Sequence, residues 1–390
     1  MQICRSTFDC IIFDRDSDAK FRSLGLMPTI PDPAVYLLRE GLSFIIISKC
    51  TDNFRVITND IDLRERVWNS LGILYKLTRS DSMESSLGLQ IRRDRDSRSM
   101  YVSQGGFARS VCHRFGIPPP GPDTYSPRSS PTRKGRIVPL ESPLLSADMI
   151  NQYQQRLGSL RYLVDRTRGD AAYDLRELAT KQSAPTQFDW EQLTYMLQYI
   201  ASTPDLGLLF HSSEGVKLFA TADISYATQK DCKSFTSGTL SIGKLSAPFR
   251  VYCKPQTVMT DSTAAAEYVG ASTISKEAVS ARMFMDAIGF GEDAPTPLGQ
   301  DNMSTIHMMI NTSSGAKTKH IDVRFHVLRD YIVRQLIQPY YLETKPMQAD
   351  LLNKTHGPAT HRALRELVLG YRNGIDPVVH GWIPQDQLVV

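Results

Sequence analysis

The sequence has few cysteines and no long hydrophobic run. Its six cysteines are scattered over 390 residues without paired spacing. The sequence therefore predicts neither a zinc site nor a disulfide framework, and it indicates a reducing compartment. The longest aliphatic run, Phe44–Ile47, is far too short to span a bilayer, and the first residues lack the apolar core of a secretory signal. We expect an intracellular location, in the cytoplasm or the nucleus, and no membrane partner.

A strong charge of either sign is also missing. Lys and Arg outnumber Asp and Glu by 45 to 41, and 41% of the residues are hydrophobic. This composition suits two or three globular units. The small positive net charge is compatible with a nucleic-acid partner, although ordinary solvent-exposed charges can give the same net charge.

A short apolar strand that ends on a carboxylate organises the rest of the sequence. It is Lys217–Asp223, with the sequence KLFATAD. Taken alone, Asp223 is an ordinary strand-end turn residue. Three later carboxylates, Glu267, Asp301 and Asp350, also lie close to predicted strand ends or helix starts. Such positions can meet at one edge of a sheet, and four acids there would suit two divalent cations.

Six segments give this pattern a specific resemblance. In order they are ATADIS, KSFTSG, STAAAEYVG, QDNMSTI, KTKHIDVRFHVLRD and MQADLLNK. They resemble the RNase H domain of copia-type retrotransposon polyproteins. The resemblance implies two Mg²⁺ ions, with Mn²⁺ as a substitute, and hydrolysis of the RNA strand of RNA–DNA hybrids. It also implies that the catalytic, metal-binding acids are Asp223, Glu267, Asp301 and Asp350. The segment around Glu267 is one residue longer than in relatives, so Asp261 remains the alternative acid there.

Upstream residues resemble the C-terminal part of a reverse-transcriptase palm. The predicted hairpin turn Cys50–Asn53 stands where the family has a Tyr-Val-Asp-Asp turn. Asp52 is retained, but Asn53 replaces the second acid, which leaves a degenerate palm motif. Two-metal phosphoryl transfer needs shared anionic ligands, so this departure argues against polymerase activity.

Basic residues flank the acidic motifs. A groove that follows a nucleic-acid backbone requires such charges, although each of them alone is an ordinary solvated side chain. The expected nucleic-acid-binding residues are Lys230, Lys233, Arg250, Lys254, Lys317, Lys319 and Arg324. Hybrid recognition would depend on groove shape and 2′-hydroxyls rather than on base sequence.

The expected fold class is α/β, an RNase H-like mixed sheet flanked by helices. A partial reverse-transcriptase palm and a helical thumb or connection segment precede it. Eight of the 22 prolines lie between Pro118 and Pro143, which predicts a linker. The expected ranges are 1–117 for the palm, 118–146 for the linker, 147–213 for the thumb and connection, 214–356 for the RNase H-like domain and 357–390 for a C-terminal tail.

Three functions remain open at the level of sequence. The first is an active RNase H attached to an inactive polymerase remnant. The second is a catalytically dead remnant that binds nucleic acid or acts as a scaffold, because fold does not secure function. The third is RNA-directed DNA polymerisation in a complex that supplies the missing palm, with a full-length retrotransposon polymerase as the partner.

Overall fold

The computed structural model describes residues 7–50, 53–80, 83–132, 141–212, 215–226, 234–244, 246–311, 322–343, 347–371 and 377–389. The chain divides into two compact units, one made of residues 1–82 and 279–293 and the other of residues 83–278 and 294–390. Within the described ranges, no helix combines the length and the apolar character needed to cross a bilayer.

The smaller unit contains a four-stranded antiparallel sheet. Its elements are α1 (Thr7–Ser23), β1 (Met27–Pro28), β2 (Val35–Glu40), β3 (Ser43–Cys50), β4 (Asn53–Thr58) and α2 (Ile61–Leu74). The strands lie side by side in chain order. Phe21 from α1, Ile47 from β3 and Leu71 from α2 share one core. The predicted hairpin is present, since Cys50 pairs with Asn53, while Asp52 lies outside the described residues.

The larger unit begins with a second antiparallel sheet and a layer of helices. The elements are β5 (Ser85–Ser86), β6 (Leu89–Asp94), β7 (Ser99–Ser103), α3 (Gly105–Arg114), α4 (Ala147–Arg166), α5 (Ala172–Ala179), α6 (Gln187–Ser202) and β8 (Gly207–His211). The sheet order is β5-β6-β7-β8. The helices bury apolar side chains such as Tyr153, Leu160 and Met196 in a common core.

Strand β8 differs from the helical thumb or connection segment expected over residues 147–213. Its apolar run is short, and runs of this length form strands as readily as buried helix. A Cβ atom at residue 207 would clash with the carbonyl oxygen of Val102. Gly207 thus permits the close pairing with Ser103 on β7, and a contact distant in sequence decides the local structure.

The proline-rich stretch contains no helix or strand over residues 118–132. It nevertheless packs against the helical layer. The backbone N–H of Arg128 donates to Ser202 Oγ at 3.0 Å, and its guanidinium donates to Gln198. Ser130 and Thr132 are buried. Arg128 is thus held by two residues of α6.

The five-stranded sheet of the larger unit is mixed. Its strands are β9 (Leu218–Ser225), β10 (Phe235–Ile242), β11 (Pro248–Pro255), β12 (Thr296–Gln300) and β13 (Ile337–Tyr341), in the order β11-β10-β9-β12-β13. The strands β11, β10 and β9 are antiparallel, whereas β9, β12 and β13 are parallel. With α7 (Thr263–Ala287), α8 (Met303–Ile310) and α9 (Asp322–Val333), this confirms the expected RNase H-like α/β class.

Helix α7 crosses the sheet at very close range. A Cβ atom at residue 238 on β10 would clash with Ile274 of α7, and one at residue 270 would lie 2.7 Å from Ile224 Cγ2 on β9. Gly238 and Gly270 therefore remove the side-chain bulk at this crossing. The close approach fixes the start of α7 beside the end of β9.

A buried ion pair stabilises the turn between α4 and α5. The Arg168 guanidinium makes two 2.9 Å bonds to the Asp170 carboxylate, and both side chains are almost fully buried. Tyr199 donates to the same carboxylate at 2.5 Å. His361 Nε2 lies 3.0 Å from the Asp170 carbonyl oxygen. This network joins the helical layer to α10 (Pro358–Val368).

The C-terminal residues also pack into the larger unit. Trp382 stacks on Tyr101 of β7 with ring centroids 5.6 Å apart. Gln387, in α11 (Gln385–Val389), bonds the backbone N–H and the carboxylate of Asp205. The segment predicted as a tail thus covers part of the β5–β8 sheet.

Candidate metal centre

Two acids lie at the carboxyl ends of neighbouring parallel strands. Asp223 is near the end of β9, and Asp301 directly follows β12. Because these strands run in the same direction, their ends meet at one edge of the sheet. The Asn302 side chain accepts the Thr305 backbone N–H and caps α8. Asp301 is thereby held at the junction between the strand and the helix.

The third acid comes from the start of α7. Glu267 lies in the second turn of this helix, whose close crossing at Gly238 and Gly270 brings it to the sheet edge. Oxygen atoms of Asp223, Glu267 and Asp301 all lie within 4.8 Å of one another. Asp261, the alternative to Glu267, is exposed and is not part of this group.

Both oxygens of the Asp223 carboxylate accept hydrogen bonds. Oδ1 accepts the backbone N–H of Ile224 at 2.7 Å, and Oδ2 accepts the Asn353 amide at 2.6 Å. The Glu267 carboxylate similarly accepts the Gln300 amide at 2.8 Å. Gln300 and Asn353 are not among the site residues predicted from the sequence. Two features of the sequence point to them. Gln300 directly precedes Asp301, and Asn353 lies within the QADLLNK segment.

Burial and mutual repulsion change the acidity of the group. Burial, followed by the charge of Asp301, raises the pKa of Asp223 to about 7, although the Ile224 N–H opposes the rise. Burial, followed by the charge of Asp223, raises the pKa of Glu267 to about 9, while the Gln300 hydrogen bond opposes it. Crowded carboxylates of this kind favour a bound cation, which displaces their protons.

Asp350 is close to this group but makes other contacts. It lies near the start of a 3₁₀ helix, Gln348–Leu352. Its Oδ1 atom is 2.5 Å from Lys354 Nζ, and His356 Nε2 is 2.8 Å from its carbonyl oxygen. Its charge contributes to the raised pKa of Asp223. Of the four predicted acids, the structure thus brings three into one cluster and places the fourth beside Lys354.

The 3₁₀ helix that carries Asp350 is fixed to the sheet by Gln348. Thr239 of β10 donates to Gln348 Oε1 at 3.0 Å, and Gln348 Nε2 donates to the Leu367 carbonyl at 3.0 Å. Thr239 in turn bonds Thr221 of β9. The position of Asp350 is therefore set by polar contacts on the sheet face opposite α7.

Two of the seven predicted nucleic-acid contacts lie on β11. Arg250 is half-exposed and pairs with Glu277 at 3.2 Å. The Lys254 ammonium lies 5.3 Å from the Tyr252 ring centroid. Arg250, Tyr252 and Lys254 share one face of the strand by alternation. The Arg324 backbone belongs to α9, but its side chain lies outside the described residues, as do Lys230, Lys233, Lys317 and Lys319 entirely.

The donor set fits a divalent cation. Mg²⁺ prefers carboxylate oxygens, and Asp223, Glu267 and Asp301 offer three of them within 4.8 Å. All three residues are buried or half-buried at a sheet edge. The arrangement is suited to concentrating positive charge where a phosphate group could be bound.

Comparison with known proteins extends along most of the chain. No family model matches it. The retrovirus-related Pol polyprotein from transposon TNT 1-94 of Nicotiana tabacum is 26% identical over 366 residues, which make up 90% of this chain and 26% of that protein. The corresponding polyprotein from transposon RE2 of Arabidopsis thaliana is 23% identical over 333 residues, 85% of this chain and 22% of that protein.

The chain spans about a quarter of the length of these curated relatives. Among solved structures, the foamy viral protease-reverse transcriptase in complex with an RNA/DNA hybrid aligns with 89% of this chain and 39% of that chain. The TM-score is 0.45 and the sequence identity is 12%. The similarity to the two transposon polyproteins covers 85–90% of the sequence. This retroelement-derived chain is therefore similar, over most of its length, to the Pol polyproteins of copia-type retrotransposons.

Proposed function

We propose that this chain is an RNase H-type endoribonuclease that hydrolyses the RNA strand of RNA–DNA hybrids with divalent metal ions. The observation that supports this function best is the convergence of Asp223, Glu267 and Asp301 from two strand ends and one helix. Three acids distant in sequence form one buried anionic group, with raised pKa values at Asp223 and Glu267. A group of this kind is costly to keep without a cation.

Each acid has a role in this proposal. Asp223, Glu267 and Asp301 would hold one Mg²⁺ ion, with Mn²⁺ as a substitute, and Asp223 with Asp350 would hold a second. The bound ions would supply Lewis-acid stabilisation for the attacking water and the departing 3′ oxygen. Asp350 would release Lys354 to take this role.

Basic residues of the larger unit, which also carries the acidic group, would bind the RNA–DNA hybrid. Arg250 and Lys254 would contact phosphates of the hybrid, together with Lys230, Lys233, Lys317, Lys319 and Arg324. Tyr252 lies between Arg250 and Lys254 on the exposed strand β11, so its ring could pack against a sugar. Such contacts recognise backbone and groove shape, not sequence.

The test is cleavage of an RNA–DNA hybrid with labelled RNA in Mg²⁺. We expect cleavage by the wild-type chain and a loss of about 1,000-fold in Asp301→Asn, because a metal ligand contributes several kcal/mol to catalysis. Duplex DNA of the same sequence is the substrate control. No cleavage by the wild type, or equal cleavage by both proteins, would refute the proposal.

A second candidate is a catalytically inactive remnant that binds nucleic acid. The observation in its favour is the ion pair between Asp350 and Lys354 at 2.5 Å, which gives this acid a partner inside the protein. Under this candidate, the chain binds a hybrid without cleaving it at any Mg²⁺ or Mn²⁺ concentration.

We also propose that the chain does not polymerise DNA by itself. The amide of Asn53 cannot replace an anionic metal ligand in the palm hairpin. Primer extension on an RNA template measures this directly. Extension by the chain alone would contradict the proposal, whereas extension only with an added full-length polymerase would favour the complex.

A further inference from the structure

Two buried amides contact the acidic group. Gln300 Nε2 donates to Glu267 Oε2 at 2.8 Å, and Asn353 Nδ2 donates to Asp223 Oδ2 at 2.6 Å. Gln300 is 0% exposed and Asn353 is 2% exposed. They come from different parts of the chain, the end of β12 and the end of the 3₁₀ helix Gln348–Leu352. Each contacts a different carboxylate, so the contacts are independent.

The orientation of each amide is set by chemistry. A carboxylate that binds a metal ion is ionised and only accepts hydrogen bonds, so in the metal-bound site the NH₂ side of the amide must face it. The carbonyl oxygens, Gln300 Oε1 and Asn353 Oδ1, are buried and find no hydrogen-bond partner within the described part of the chain. Leaving a buried acceptor unpaired is unfavourable. These two buried amides are therefore better explained by a role in orienting the carboxylates than by a contribution to the stability of the fold.

Both amides are held by their surroundings. Gln300 is the last residue of β12, and its backbone carbonyl accepts the Leu342 N–H at 3.0 Å. Asn353 follows the 3₁₀ helix that Gln348 fixes to β10 and α10. Its Nδ2 atom also lies 3.5 Å from the Ile224 carbonyl oxygen. Asn353 thus spans the side chain of Asp223 and the adjacent backbone.

We infer that Gln300 and Asn353 are positioning residues, which orient the carboxylates of Glu267 and Asp223 for binding a divalent cation. This inference rests on the proposed RNase H function and identifies the residues outside the ligand set that the site requires. Each amide N–H restrains one oxygen of its carboxylate and thereby limits the rotation of the whole carboxylate group. Partners of this kind fix ligand orientation, and their loss typically weakens metal affinity about 10–100-fold.

The test is Mn²⁺ affinity measured by isothermal titration calorimetry without nucleic acid. The variants Gln300→Met and Asn353→Leu keep approximate size and remove the N–H donor. We expect each to weaken Mn²⁺ binding by about 10–100-fold. Gln300→Asn keeps an amide but shortens its reach, so it should show a similar loss even if Gln300→Met folds poorly.

The matched control is Gln192→Met. Gln192 is a buried glutamine on α6 whose Oε1 atom finds no hydrogen-bond partner among the described residues, and its removal should leave Mn²⁺ affinity unchanged. Circular dichroism confirms that each variant is folded. Wild-type affinity in Gln300→Met and Asn353→Leu, or an equal loss in Gln192→Met, would overturn the inference.

Hybrid cleavage is measured in parallel and separates this inference from the proposed function. If the wild type binds Mn²⁺ without cleaving a hybrid and the variants bind it more weakly, the proposed function fails and the positioning role stands. If the wild type cleaves and the variants bind Mn²⁺ normally, the positioning role fails alone. A wild type that binds no Mn²⁺ overturns the positioning role.

Discussion

Replacing Asp223 by Asn is expected to make the metal-free protein more stable at alkaline pH, although it removes a proposed metal ligand. Asp223 has a folded-state pKa of about 7, raised by burial and by Asp301 from 3.8. The folded protein therefore binds a proton at Asp223 more tightly than the unfolded chain does. The stability from this group is fully present below pH 3.8 and is lost as the pH rises through 7.

The size of the effect follows from the same values. The difference between about 7 and 3.8 is about 3 pH units, and each unit corresponds to about 1.4 kcal/mol, so the loss at pH 8 approaches 4 kcal/mol. An amide does not titrate and avoids this loss. Asp223→Asn should thus exceed the wild type in stability at pH 8 by up to about 4 kcal/mol, and by much less at pH 4.5.

Urea unfolding in EDTA, followed by tryptophan fluorescence, measures this difference at both pH values. Adding Mg²⁺ at pH 8 should stabilise the wild type, because the cation offsets the repulsion among the carboxylates, and should have a smaller effect on Asp223→Asn. The reasoning is refuted if Asp223→Asn has the same stability difference from the wild type at pH 4.5 and pH 8.

Three further perturbations test other parts of the structure. Arg168→Met leaves the Asp170 carboxylate buried without its ion-pair partner and should lower the free energy of unfolding by about 3–5 kcal/mol in urea. Burial lowers the pKa of His361 to about 4 from 6.5. Its contribution is therefore present above pH 6.5 and lost as the pH falls towards 4, and His361→Gln should lose less stability over that range. Lys254→Ala should reduce the salt dependence of hybrid binding, measured as the slope of log K against log salt, by about 0.9, and an unchanged slope would exclude Lys254 as a phosphate contact.

The strand-end acids were accessible to sequence reasoning. Asp223 and Asp301 each follow a short apolar segment, and the structure places both at the carboxyl ends of parallel strands. Glu267 is different, because its direction depends on helical phase and one residue changes that direction by about 100°. The choice of Glu267 over Asp261 came from the resemblance, and the close crossing at Gly238 and Gly270 gives it a physical basis.

Contacts distant in sequence account for what was missed. Gln300 and Asn353 are ordinary polar residues in the sequence, and their meaning depends on which carboxylates lie across the sheet edge. Strand β8 forms because it pairs with β7, about 100 residues earlier. The ion pair between Asp350 and Lys354 has a local signal in the sequence, since opposite charges four residues apart often interact. That this pair competes with metal binding can be predicted only once the positions of the other acids are known.

The most direct measurement of the central claim is the chemistry of the cleaved RNA ends. The wild-type chain is incubated with an RNA–DNA hybrid in Mg²⁺, and the products are analysed by mass spectrometry beside those of Asp301→Asn. In-line attack by water with departure of the 3′ oxygen predicts 3′-hydroxyl and 5′-phosphate ends from the wild type and little product from the variant. Intact RNA, 2′,3′-cyclic phosphate ends, or identical products from both proteins would contradict the account.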